Sequence, residues 1–190
     1  MSTIDAEGVR NLKKSAQVHQ GFTLVELLVV IAILAILATV LFLTLNPLEV
    51  AKRGRDAARL SDLASLRGAI NLAVQEATGS SAEVLCTGVT APCSGSSNTG
   101  TRASDGTGWV KVNLAAQDIA SLPTLPIDQS NTTANHYTYC SDGDSWEINT
   151  ALESQKESGK AENDGGDDTA LYEVGSSLGL IKTSGGACTY

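Results

Sequence analysis

The sequence predicts an α+β protein. A long N-terminal helix, membrane-spanning over its first half and amphipathic over its second, packs on a small head built around an antiparallel sheet. Three observations predict this. From Leu24 to Leu45 the chain runs through 22 residues of which only Glu26, Thr39 and Thr44 are not apolar, close to the ~20 that a helix needs to cross a hydrocarbon core. Leu60, Leu63, Leu66, Ile70, Ala73 and Ala77 then recur at three- and four-residue spacing, which lines one face of a helix. Finally, His136–Cys140 and Ser145–Thr150 alternate apolar and polar residues on either side of Asp142-Gly143, the pattern of a hairpin.

The elements follow in order. Residues 1–21 are polar and without periodicity, and read as a leader. Residues 22–45 form the membrane helix, 46–79 its amphipathic continuation, and 80–190 the head, with a polar loop at 94–108. Asn46-Pro47 interrupts the helix, because proline removes one hydrogen bond and clashes with the preceding turn, so a break is expected near 43–47. Counted from Phe22 to Ala77, the whole helix would measure roughly 84 Å at 1.5 Å per residue. Thr78-Gly79 supplies a stop. In the head, Trp109–Leu114 alternates as a half-buried strand does, and Ala115–Leu122 reads as a short helix ended by Pro123 and Pro126.

Charge divides the chain. Of the net charge of −8, the first 21 residues contribute +1, from Arg10, Lys13 and Lys14 against Asp5 and Glu7, which leaves −9 on the residues after Gly21. An acidic surface argues against a general nucleic-acid grip, which depends on cations neutralising phosphates. Cations before the apolar run place the N-terminus in the cytoplasm and the head outside. Five cations and two anions populate Lys52–Arg67. They form either a solvated face of Arg–Asp pairs or a contact with anionic headgroups.

Glu26 is the anomaly, a carboxylate just inside the apolar run. An ionisable residue within a membrane is costly and points to a function and a partner. The stretch Gly21-Phe22-Thr23-Leu24-Val25-Glu26, followed by the apolar helix, resembles the processing signal of type IV pilins and type II secretion pseudopilins. That resemblance implies cleavage after Gly21 by a prepilin peptidase, N-methylation of Phe22, and a role in assembly for Glu26. It implies a homo-oligomeric helical filament, made from a single-pass precursor with the help of an inner-membrane assembly platform and exposed at the cell surface or across the periplasm. Two other readings stand beside it: a minor or tip pilin with an adhesive or DNA-uptake role, and a single-pass anchored domain that never polymerises. Physically, cutting after Gly21 frees an ammonium four positions from Glu26, and a neighbour's ammonium would give that carboxylate its partner.

Cys86, Cys93, Cys140 and Cys188 make an even set with three possible pairings, the arrangement of a disulfide framework outside the cytoplasm. In one of them Cys86–Cys93 closes a short loop and Cys140–Cys188 ties the terminal segment to the hairpin. The acidic, glycine-rich Glu162–Asp168 offers Asp164, Asp167 and Asp168 as candidate calcium ligands. No other cofactor is expected. No nucleophile, phosphate loop or acid–base set emerges, so a structural protein is expected rather than an enzyme.

Overall fold

The computed structural model describes residues 21–115, 122–181 and 187–190. The leader with Arg10, Lys13 and Lys14, and nearly all of the helix expected at Ala115–Leu122, lie outside the described residues. The chain divides into two units, one ending at Leu45 and one beginning at Asn46. The first holds the helix α1, Leu24–Leu45.

The second unit opens with α2, Pro47–Glu76. Asn46 caps it, with its side chain accepting from the backbone N–H of Glu49 and its own φ at 39°. Asparagine tolerates this left-handed region better than most residues. Pro47 takes the first helical position, where a missing N–H is harmless. The break expected near 43–47 is thus a helix boundary with its own cap. A second short helix, α3 (Ser81–Leu85), starts from a reciprocal pair in which Ser80 and Glu83 each accept from the other's backbone N–H.

Four antiparallel strands follow: β1 (Cys93–Ser96), β2 (Tyr137–Ser141), β3 (Trp146–Ala151) and β4 (Leu171–Gly175), in the order β1-β2-β3-β4. The short helix α4 (Ser158–Glu162) lies between the last two. Register puts Tyr139, Ile148 and Val174 in one row. They belong to one buried cluster with Leu63, Leu66, Ala69, Ile70 and Ala73 of α2 and with Trp109, Val112 and Leu114. The opposite face carries Thr138, Cys140, Glu147, Asn149 and Glu173, all buried. Cys140 packs there with Leu180, Ile181 and Cys188. Both faces of this small sheet are therefore covered.

The head departs from expectation in two places. Trp109–Leu114 forms no strand, only an isolated bridge between Asp105 and Asn113. Its apolar side chains are nonetheless buried. Its backbone bonds to surrounding loops, with Trp109 N–H donating to Thr101 and Leu114 N–H to Ser104. The tract at 94–108 is likewise no free polar loop. It starts inside β1 and turns over Trp109, and a Cβ at Gly95 would collide with the Trp109 carbonyl. Glycine is what permits that approach.

The cations of α2 are also placed differently from a solvated face. Asp56 and Arg59 are 0% and 1% exposed. Arg59 donates to Asp128, to Asp56 at 2.7 Å and to Glu153 at 2.5 Å. Asp56 also accepts from the backbone N–H groups of Glu153 and Ser154. Arg55 adds a two-pronged contact to Glu153. Burial by itself disfavours the Arg59 charge, but the bonds to Asp128 and Glu153 outweigh it and hold the guanidinium protonated. Burial also raises Asp128, yet Arg59 and the N–H groups of Ser130 and Asn131 bring its carboxyl below the usual range. Glu153 is drawn down to about 2, chiefly by its bond from Arg55. The cluster joins α2 to segments 69 and 94 residues further along the chain.

Two predictions follow from this packing. Trp109 and Trp146 are buried in the head and report its unfolding by fluorescence in urea, on the full chain in detergent. Arg59→Ala leaves the buried carboxylates of Asp56 and Asp128 without their cation, while Glu153 keeps Arg55, and should lose about 3–5 kcal/mol, the usual penalty for breaking a buried pair. Arg53→Ala, at an exposed pair, should leave the midpoint unmoved. The second prediction concerns the disulfides Cys86–Cys93 and Cys140–Cys188, which span 7 and 48 residues. Chain-entropy scaling assigns about 2 kcal/mol to the shorter loop and about 4 kcal/mol to the longer. Cys140→Ser with Cys188→Ser should therefore lower the urea midpoint more than Cys86→Ser with Cys93→Ser, and the reverse order would refute the scaling here.

Candidate functional site

The site expected at Gly21, Phe22 and Glu26 begins in non-helical backbone. Gly21 and Phe22 are exposed and precede the first turn of α1. Thr23 caps that turn. Its hydroxyl oxygen accepts from the backbone N–H of Glu26 at 3.2 Å, while Glu26 Oε2 accepts from the Thr23 N–H at 2.9 Å and the Thr23 hydroxyl at 2.7 Å. Threonine with glutamate three residues later is the reciprocal cap that satisfies orphan donors at a helix start. The carboxylate also lies at the positive end of the helix dipole. Glu26 therefore has a local structural use in closing the first turn of α1.

Beyond this cap α1 is apolar on every side. Each large apolar side chain from Phe22 to Phe42 is between 46% and 84% exposed within the chain. Leu24–Phe42 has a mean hydropathy of 3.0. Thr39 donates its hydroxyl to the Ala35 carbonyl at 2.8 Å, so this polar group needs no outside partner. A helix apolar all round is stable only inside lipid or among other apolar surfaces. Length and composition suit a single-pass anchor.

Residues 17–42 match the family model described as the prokaryotic N-terminal methylation motif. The chain thus carries a prepilin signal of the type IV pilin kind, joined to an apolar helix. Such a signal marks a precursor of type IV pilin or pseudopilin type, processed by a prepilin peptidase and associated with a membrane. No curated protein and no solved structure matches the chain.

The candidate calcium ligands are not gathered. Asp164 accepts from the backbone N–H groups of Gly166 and Glu173, and Asp168 from that of Ala170. Among the described residues no three acidic, histidine or cysteine side chains come together as a metal site.

Beneath that loop lies a group the sequence hid. Glu147 and Glu173 stand on adjacent strands, 0% and 2% exposed. Glu147 Oε2 accepts from the N–H groups of Leu180 and Ile181. Among the described residues the Oε1 atoms of both glutamates have no hydrogen-bond partner other than each other's carboxyl. Burial raises both, and the neighbouring Glu147 adds to the rise at Glu173, which is pushed up to about 8. Asp164 and Asp167 add negative charge nearby. Glu147 is a polar member of the alternating run Trp146-Glu-Ile-Asn-Thr, and the return of Leu180 and Ile181 over the sheet covers it.

A raised carboxyl binds its proton more tightly folded than unfolded, so its stabilisation is complete below the unfolded value of 4.5 and is lost as pH climbs to about 8. Stability of the head should fall across that window, by at most roughly 1.4 kcal/mol per pH unit for one proton. Glu153, depressed to about 2, contributes fully above 4.5 and so does not alter the slope there. Urea midpoints taken at several pH values should show the decline in the native chain, and a flatter profile in Glu173→Gln.

Proposed function

We propose that the chain is a structural subunit of a type IV pilus or type II secretion-like filament, without enzymatic chemistry or a cofactor of its own. It is made as a single-pass precursor with the head outside, cut after Gly21, methylated on Phe22, and polymerised through α1 with the aid of an inner-membrane platform. The observation that carries this reading is the motif across residues 17–42 joined to a helix whose large apolar side chains are all exposed up to Phe42. Lipid covers that surface in the precursor and neighbouring copies of α1 cover it in the filament. Moving between the two environments asks for little change in solvation, since both are apolar.

One observation favours a second reading, the anchored domain that never polymerises. Glu26 is already satisfied by Thr23 within its own chain. On the filament reading Glu26 also faces the Phe22 ammonium of a neighbouring copy, and the Thr23 bonds serve to aim it. In a host carrying the assembly machinery, mass spectrometry of the assembled protein should find a methylated Phe22 at the N-terminus, and Gly21→Val should stay uncut. Glu26→Ala should insert normally yet assemble poorly, because the neighbour's buried ammonium loses its partner at about 3–5 kcal/mol. Glu26→Gln keeps an acceptor without the charge and should fall between. Normal filament yield from Glu26→Ala would remove the charge-pair mechanism while keeping the filament, and only the absence of filaments from the native chain would leave the anchor reading standing.

A further inference from the structure

Cations are sorted to one end of the second unit. Of the ten Lys and Arg residues after Gly21, six lie in Lys52–Arg59 and Lys156–Lys160. These two segments form one surface. Glu157 accepts from Arg53 at 3.4 Å and from Lys160 at 2.6 Å. Glu49 accepts from Ser154 at 2.5 Å and feels the charges of Lys52 and Lys156. Between the segments opens a cavity of about 300 Å³, bordered by Leu48, Lys52, Arg55 and Gln155. Arg55 and Arg59 are committed to carboxylates inside. At the surface, Lys52, Arg53, Lys156 and Lys160 stand with Glu49 and Glu157, four cations to two anions among these described residues, on a chain that is otherwise acidic.

Connectivity says what this surface meets. Lys52 is seven residues beyond Leu45, the last residue of α1. Even fully extended, that length of chain reaches only about 25 Å. Leu48 and Val50, 75% and 59% exposed, stand beside the cations. Apolar side chains interleaved with Lys and Arg directly after a spanning helix fit the boundary between headgroups and acyl chains. We propose that this face is a headgroup site for anionic phospholipid. Lys52, Arg53 and Lys156 hold the lipid phosphate, and Leu48 and Val50 enter the interface. The proposal rests on α1 spanning a membrane.

The test is a lysine-acylation footprint, read by mass spectrometry, of the full chain in nanodiscs of phosphatidylcholine with or without phosphatidylglycerol. Lys52 and Lys156 should react about fivefold more slowly in the anionic discs, the equivalent of ~1 kcal/mol per basic residue at an anionic surface. High salt should abolish the difference. Lys111, which donates to the Gly108 carbonyl elsewhere in the head, should react equally in both. Arg53→Glu with Lys156→Glu should remove the protection of Lys52. Equal rates in the two discs would overturn the proposal. So would equal protection by glycerol phosphate in neutral discs, which would assign a free phosphate. Protection that follows the number of chains per neutral disc would assign the face to a second copy. A chain that inserts into neither disc would overturn the spanning reading itself, an outcome visible before any footprint is taken.

Discussion

Arg59 is the residue on which the head's assembly turns. It is a permanent cation with almost no contact with water, and such a charge is tolerable only when its donors are matched. Asp56 supplies one match from its own helix, and Asp128 and Glu153 supply the others from distant loops. Because Asp56 also accepts from the N–H groups of Glu153 and Ser154, the loop cannot shift without unpairing several buried groups together. The apolar contacts of Leu63, Leu66 and Ile70 supply adhesion between helix and sheet, and that adhesion has no strong directionality. The charged cluster supplies register, fixing which turn of α2 meets which loop.

Two buried polar centres therefore work in opposite senses. The Arg59 cluster is charge-balanced and holds its carboxyls ionised. The Glu147–Glu173 pair forms no ion pair among the described residues, and burial raises both carboxyls. Each lies on a different side of the structure's logic: one fastens the helix to the loops, the other lies where the returning terminal segment closes the sheet.

What the sequence made legible was periodic. The apolar run of α1, the three- and four-residue spacing in α2 and the alternation around Asp142-Gly143 each announce an element within a short window. What it concealed depended on partners far away. Asp56 and Arg59 have the spacing of an ordinary surface pair on a helix, and nothing nearby shows that Asp128 and Glu153 will enclose them. Cys-Ser-Gly-Ser has no strand pattern, and β1 forms because β2 offers it a ladder and Gly95 gives Trp109 room. Trp109–Leu114 shows the converse, since alternation there records burial without a strand. At the N-terminus the motif was legible across residues 17–42, yet the hydrogen bonds that Thr23 makes to Glu26 had to be seen in the structure.

The spacing of these contacts sets an order of events for a chain delivered from its N-terminus. Asp56 and Arg59 emerge early, but the last carboxylate of their cluster arrives 94 residues after Arg59. The strand partner of β3 follows later still, and Cys140 waits 48 residues for Cys188. Until then the Asp56–Arg59 pair of α2 lacks its partners from the loops, and the apolar face of the helix is bare. Vectorial delivery thus yields no folded portion to build upon. Neither the charged cluster nor the second disulfide can be completed before the last third of the chain has arrived.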